Sequence, residues 1–215
     1  IGSSMTKRNK SCESEVMLTM QRKELLKKSA IRHAEYYGMV EVQDALYADS
    51  ANKKIFTDLI SIIGSDANIK MAYRNLKSNK GSNTPGVDGK TFKDLAEMSE
   101  DKILNYQPKA VRRVYIPKPN GKMRPLGIPT VIDRIVQQSV LQVMEPICEA
   151  KFYRHSYGFR PNRSTKNAVA VCYKLAQVDG FHYVVDVDIK GFFDNVDHGK
   201  LLKQIWTLGI RDKRL

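Results

Sequence analysis

Two aspartates lie close together in an apolar segment near the end of the sequence. Asp186 interrupts the run from Tyr183 to Val187 and Asp188 follows it, and the valines and tyrosine of this run predict a buried strand. Side chains two residues apart share one face of a strand, roughly 6.5 Å from each other. Two buried carboxylates repel unless a cation neutralises them, and a divalent metal with oxygen ligands is the usual solution. The spacing alone favours a metal site and a solvent-exposed strand end equally.

Positive charge is concentrated in the middle of the sequence. The 215 residues include 36 Lys and Arg against 23 Asp and Glu, a formal net charge of +13. The stretch 102–132 contains basic residues and no carboxylate: Lys102, Lys109, Arg112, Arg113, Lys118, Lys122 and Arg124. Such a stretch indicates a polyanionic partner, and nucleic acid is the natural one.

The composition argues against several other classes of protein. The cysteines at 12, 148 and 172 have neither zinc-ligand spacing nor a disulfide pattern, and no apolar run is long enough to span a membrane. We therefore expect reduced thiols, a cytoplasmic location and no membrane partner.

The basic stretch lies on a predicted hairpin. Asn120 and Gly121 separate two β-rich flanks, and this dipeptide is a strong hairpin signal. Pro117 and Pro119 have no amide donor, so the hairpin is expected to be irregular or to lie at a sheet edge.

Helices are predicted on both sides of the hairpin. A polar arm and a basic helix precede Gly38, and Asp197 caps a last helix that runs to about Leu208. Thr130 and Asp133 form a capping box, after which apolar residues follow at helical spacing to position 147. A further helix at 66–79 has an apolar face and, beside it, a basic stripe: Ile69, Tyr73 and Leu76, then Lys70, Arg74 and Lys77. Taken alone, the stripe is better explained as a solvated face than as a binding surface.

Four segments resemble the motifs of group II intron reverse transcriptases, in the family's order. TPGVDGKT is similar to the end of its N-terminal motif zero, YIPKPNGKMRPLGIPT to its first fingers motif, and SYGFRPNRSTKNAV to its second. DIKGFFDNVDH, which begins at Asp188, resembles its first palm motif. The resemblance covers residues 65 to 208, approximately.

The resemblance implies an α+β fold with the fingers–palm architecture of a right-hand polymerase. We expect a helical N-terminal extension in 5–64, fingers with a β-hairpin in 65–179, and the start of the palm, with a partial sheet and helices, in 180–215. Residues 1–4, before Met5, are expected to be a cloning remnant. The family also requires an Asp-Asp hairpin, and no Asp-Asp occurs in this sequence. We therefore expect a fragment that ends before this motif and is inactive alone.

The implied activity is RNA-directed DNA polymerisation by two-metal phosphoryl transfer. Asp188 corresponds to the first catalytic aspartate, which would bridge two Mg²⁺ ions, and the Ile189 carbonyl corresponds to a backbone metal ligand. Asp186 matches no catalytic position, so its role is left open.

Nucleotide binding is implied for residues of the hairpin and of the palm motif. Lys118 and Arg124 correspond to fingers residues that hold the dNTP triphosphate, assisted by Arg112 or Arg113, between which the sequence does not choose. Phe193 occupies the position under the incoming sugar, where a ring would collide with a 2′-hydroxyl; core packing is the alternative.

The expected partners are intron RNA, an RNA template with its DNA primer, and dNTP, with a homodimer left open. RNA contacts are expected from basic residues of the fingers: Lys70, Arg74, Lys77, Lys109, Lys122 and Arg160. Two alternative functions are left open. The first, of a different functional class, is a non-catalytic RNA-binding maturase. The second, closer in function, is another bacterial reverse transcriptase of the retron or CRISPR-associated kind.

Overall fold

The computed structural model describes residues 31–94, 106–117, 119 and 121–215. The chain divides into two compact units. Unit 1 is Ile1–Asp44 with Ile60–Val143, and unit 2 is Ala45–Leu59 with Met144–Leu215.

Helices dominate the described residues, with one small sheet. Residues 31–36 are helical, and the α-helices that follow are α1 Met39–Ala51, α2 Ile60–Ile63, α3 Asp66–Lys77, α4 Val131–Glu149, α5 Thr165–Gln177 and α6 His198–Thr207. Short 3₁₀ turns occur at Lys80–Asn83 and Phe192–Asp194, and the strands are β1 Arg112–Pro117 and β2 Met123–Ile128. This mixture agrees with the predicted α+β class. Within the described ranges, no helix has the length and apolar character needed to cross a membrane.

The helix predicted at 66–79 is α3. Of its predicted apolar face, Ile69 is buried, and Tyr73 and Leu76 are half-buried. Ser65 caps it by accepting a hydrogen bond from the Asn68 backbone N–H. Ile69 and Ala72 are buried in unit 1. Asn68 is fully buried as well, and its amide donates to the Ile63 and Ser139 carbonyls and accepts from Gln142. The nitrogen and the oxygen of this buried amide both have hydrogen-bond partners. Asn68 therefore joins α3 to α4 without leaving an unsatisfied polar group in the interior.

Helix α4 begins at the predicted capping box and contains a proline. Pro146 has no N–H to donate to the carbonyl of Gln142, four residues earlier. The Gln43 side chain donates to that carbonyl instead, at 3.1 Å. The helix therefore tolerates Pro146, because a side chain of α1 donates to the carbonyl that the proline leaves without a partner.

Unit 2 joins the end of the chain to the segment that follows α1. Phe56 forms an isolated parallel bridge with Ile210, and both side chains are buried. The Lys151 ammonium donates to the Leu208 carbonyl at 2.5 Å, at the C-terminal end of α6. These contacts hold the last helix to the body of unit 2.

The buried strand predicted around residues 183–187 is absent from the described part of the chain. Residues 181–189 have no strand partner there, and Tyr183 and Val187 are 95% and 80% exposed. The prediction of burial is wrong for these residues, because a strand is buried only when neighbouring strands and a covering layer are present. The partial palm sheet is likewise not formed among the described residues.

Candidate nucleic-acid interface

The predicted hairpin is present, and its register separates the basic residues between two faces. β1 and β2 are antiparallel, with Ile116 opposite Arg124, Arg112 opposite Ile128 and Arg113 opposite Gly127. Because side chains alternate along a strand, Arg112 and Arg124 share one face and Arg113 lies on the other. Arg113 and Arg124 are exposed, and Arg112 is half-buried. Lys118, at the hairpin turn, lies outside the described residues.

The turn-rich loop at 81–89 is hydrogen-bonded to the first residue of β1 and to α4. Arg112 Nε donates to the Pro85 carbonyl at 3.1 Å. Arg134, just inside α4, donates through its two terminal nitrogens to the carbonyls of Gly81 and Thr84, at 2.9 and 2.7 Å. A Cβ added at Gly86 would lie 2.6 Å from the Thr130 Cα, so only glycine allows this approach. Hydrogen bonds therefore hold the loop to both the hairpin and the start of α4.

Asp133 is a buried acceptor that joins the segment before the hairpin to the start of α4. It is 3% exposed, and its carboxylate accepts hydrogen bonds from the Tyr106 hydroxyl and from both the backbone N–H and the hydroxyl of Thr130, the last at 2.6 Å. The Lys109 backbone N–H approaches at 3.4 Å. Burial acts to raise the pKa of Asp133, but the bonds from Thr130 and Tyr106 outweigh it and hold the pKa below its usual range. Burial and the same bond raise the pKa of Tyr106.

The basic stripe of α3 is held at the surface by local contacts. Lys70 pairs with Asp66 one turn earlier at 2.7 Å, an exposed pair of small energetic value. The Arg74 guanidinium lies 5.3 Å from the centre of the Tyr36 ring, and the Lys77 ammonium lies 5.5 Å from that of Tyr73. Both cations therefore keep their charge exposed while the rings restrict their positions. The Lys109 and Lys122 side chains, which were also expected to contact RNA, are exposed too.

Asp186 and Asp188 are both exposed. Asp186 and Asp188 are followed by Gly191 in a left-handed conformation (φ 61°), whose carbonyl accepts from the Asn195 amide at 2.8 Å. Phe193 is 88% exposed, so within the described residues it is not part of a core.

The palm residues fit a metal site only in part. The Asp188 carboxylate and the Ile189 carbonyl are oxygen donors of the type that Mg²⁺ prefers. No group of three or more His, Cys, Asp or Glu with the geometry to hold a metal occurs among the described residues. A complete two-metal site therefore needs ligands beyond those that the structure describes.

Arg160, expected to contact nucleic acid, is used inside unit 2. It is 9% exposed and forms a two-pronged pair with Glu149, with bonds of 2.8 and 2.7 Å. A third nitrogen donates to the carbonyls of Tyr153 and Ser156. The bonds from Arg160 hold the pKa of Glu149 below its usual range. A contact with nucleic acid stays a prediction for Arg160, and these bonds favour a structural role.

Sequence reasoning missed the anchoring roles of Asp133 and Arg134. The capping box gave the signal for Asp133, but its further partner Tyr106 is 27 residues away in the sequence. Nothing in the sequence indicated that Arg134 would reach the loop at 81–84.

Comparison with known proteins places these features in a family. Residues 116–215 match the family model described as "Reverse transcriptase (RNA-dependent DNA polymerase)". The chain is 46% identical over 147 residues to protein YkfC of Escherichia coli (strain K12), covering 62% of this chain and 38% of that protein. It is 41% identical over 152 residues to the group II intron-encoded protein LtrA of Lactococcus lactis subsp. cremoris, covering 67% of this chain and 25% of LtrA.

A further relative is the mitochondrial nuclear intron maturase 2 of Arabidopsis thaliana, 30% identical over 83 residues, covering 39% of this chain and 11% of that protein. The chain thus spans well under half of the length of these relatives. The matched region contains the second half of the hairpin, α4, α5 and the palm motif with Asp188. The chain belongs to the reverse transcriptases, in the group of proteins encoded by group II introns and their maturase relatives.

Proposed function

We propose that the chain is the fingers and first palm segment of an RNA-directed DNA polymerase of a group II intron. The family match over residues 116–215 carries this proposal, since it includes both the hairpin strand with Arg124 and the motif with Asp188. The anchored hairpin supports it physically, because a binding surface for a polyphosphate must be held rigidly to be selective.

The incoming dNTP would be held by the hairpin face that carries Arg112 and Arg124. The register supports Arg112 over Arg113 as the assisting residue, because only Arg112 shares a face with Arg124. Arg112 uses its Nε for Pro85, and among the described residues its terminal nitrogens have no hydrogen-bond partner. Guanidinium groups bind phosphate oxygens through paired charge-assisted bonds, so two of them can hold a triphosphate in a fixed orientation. Lys118 would add a third positive charge from the hairpin turn.

The palm motif would supply one carboxylate of the catalytic centre. Asp188 and the Ile189 carbonyl would hold Mg²⁺ together with further oxygen ligands from outside the described residues. Two such ions, when bound, activate the primer 3′-hydroxyl and neutralise the leaving pyrophosphate. Phe193 would lie beside the sugar, and its ring would exclude a 2′-hydroxyl by steric contact.

A second function, binding of intron RNA to assist splicing, is supported by the basic surface of α3. Arg74 and Lys77 are restrained by aromatic rings and keep exposed charge, which lowers the entropy lost when they bind phosphate. Lys70 lies on the same stripe. A maturase without polymerase activity would need this surface and not Asp188.

Primer extension tests the polymerase. On an RNA template with a DNA primer, dNTP and Mg²⁺, the 215-residue chain should show no extension, because Asp188 alone cannot hold two metals. A version extended through the length of its intron-encoded relatives should extend the primer. Extension by the short chain, or none by the long one, would contradict the proposal.

Salt dependence tests RNA binding by the chain itself. Affinity for single-stranded RNA should fall linearly on a log–log plot, with a slope of about 0.7 per phosphate contacted. A flat response would contradict the electrostatic interface.

A further inference from the structure

An open pocket of about 680 Å³ lies within unit 2, away from the palm motif in sequence. It is formed by Tyr47 of α1, Glu149 at the end of α4, the loop at 157–163 and the first half of α5. Its volume falls within the range of about 300–1,000 Å³ that is typical of small-ligand sites. The proposals above give it no role.

The walls of this pocket combine flat rings with a positive charge. Tyr47 and Tyr157 both line it, and the Arg163 guanidinium lies 5.5 Å from the centre of the Tyr157 ring. Arg163 also donates to the Arg154 carbonyl, which restricts its position. Tyrosine rings and guanidinium planes are the groups on which proteins stack unpaired bases.

Amides and a neutralised carboxylate complete the lining. Asn162 lines the pocket and has φ 56°, a left-handed conformation that asparagine accepts more readily than most residues. Asn167, on α5, also lines the pocket, and its side-chain oxygen accepts a hydrogen bond from the Ser164 hydroxyl. Glu149 is the one acidic residue among the described lining residues, and Arg160 bonds both of its carboxylate oxygens, so its charge does not repel an anionic strand. Amides provide the donor and acceptor pair that a base edge requires.

We propose that this pocket binds an unpaired nucleobase of an RNA strand, an inference that rests on the proposed RNA binding. The exposed cations Arg154 and Lys166 flank the pocket loop in sequence and would contact the adjacent phosphates. A free inorganic anion would use the charge but not the rings, and a purely apolar ligand would use neither the charge nor the amides.

The test compares intact single-stranded RNA with an abasic oligomer of the same length, by fluorescence anisotropy across a salt series. Tyr157→Ala should weaken binding of intact RNA about tenfold, the scale of one lost base stack. It should leave the abasic oligomer and the salt slope unchanged, because no charge is removed. Tyr157→Phe keeps the ring and should bind nearly as the wild type does. Tyr153→Ala is the matched control, since Tyr153 is exposed but does not line the pocket.

A second variant covers the case in which Tyr157→Ala does not fold, as judged by thermal melting. Asn162→Asp keeps a residue that tolerates the left-handed backbone and adds a carboxylate at the pocket. It should reduce the preference for intact over abasic RNA. If the folded variants keep the wild-type preference while salt-dependent binding persists, the pocket proposal is overturned and RNA binding stands. If wild-type protein binds neither oligomer, the proposed RNA binding itself fails, and the pocket proposal with it.

Discussion

Replacing Asp133 with alanine should destabilise unit 1 strongly, because this carboxylate joins three segments of that unit. It accepts from Tyr106 before the hairpin and from Thr130 after it, and it lies in the first turn of α4. Alanine removes the acceptor from two hydroxyls, from the buried backbone N–H of Thr130 and from the more distant backbone N–H of exposed Lys109. Each unsatisfied buried donor costs about 1–3 kcal/mol, and water can partly replace the partner of half-buried Tyr106, so we expect a loss of about 3–5 kcal/mol. That is a large share of the roughly 5–15 kcal/mol by which most domains are stable.

A chemically matched control lies in the same unit. Asp94 accepts from the Thr91 backbone N–H and hydroxyl at 2.9 and 2.7 Å, the same bonds at the same spacing as in the Thr130–Asp133 pair, but it is exposed. Urea unfolding and peptide-resolved hydrogen exchange should show a far smaller effect for Asp94→Ala than for Asp133→Ala. Equal effects of the two variants would refute the view that burial and the bond to Tyr106 make Asp133 an anchor.

The same carboxylate predicts a dependence on pH. The pKa of Asp133 is lowered in the folded chain, so its stabilising contribution is fully present above about pH 4, the ordinary value for an unfolded aspartate. The contribution is lost as the pH falls through the lower, folded value. The difference in stability between wild type and Asp133→Asn should therefore be constant near neutral pH and shrink below about pH 4. A difference that grows on acidification would contradict the assignment.

Three further predictions concern individual side chains. In a full-length enzyme, Arg124→Ala should raise the KM for dNTP with a smaller effect on kcat, whereas Arg113→Ala, on the opposite hairpin face, should change KM little; equal effects would contradict the face assignment. Phe193→Val should lower discrimination between dNTP and rNTP in competition assays and leave the melting temperature unchanged, since the ring is exposed; unchanged selectivity would remove its role at the sugar. Arg160→Lys should lower the melting temperature, because lysine cannot form the two-pronged pair with Glu149, and should leave the salt slope of RNA binding unchanged; the reverse result would return Arg160 to the RNA surface.

Local signals in the sequence predicted several elements well. Helix α3, the hairpin at Asn120-Gly121 and the start of α4 were all predicted from spacing, turn residues or capping. These elements follow local rules, because the apolar period, the turn dipeptide and the capping box each act over a few residues. Gly38 has φ 64°, in agreement with the predicted end of the preceding helix.

Features that depend on distant residues were not predictable in the same way. Helix α1 was missed because its apolar residues do not form one clear stripe along it. The role of Arg160 depends on its pair with Glu149, and that of Arg134 depends on a loop about 50 residues earlier. The residues next to either arginine in the sequence do not indicate these contacts. The segment at 183–187 has the composition of a buried strand, but composition does not supply the partner strands that burial requires.

The central claim is that Asp188 is needed for DNA synthesis and not for RNA binding, and Asp188→Asn in the full-length protein tests it most directly. Asparagine keeps the volume of the side chain but removes the charge that would hold metal. Synthesis of complementary DNA should fall by orders of magnitude, while affinity for intron RNA, assisted splicing and the melting temperature stay at their wild-type values. Wild-type DNA synthesis by Asp188→Asn would contradict the account, because Asp188 would then not be the catalytic aspartate of the motif.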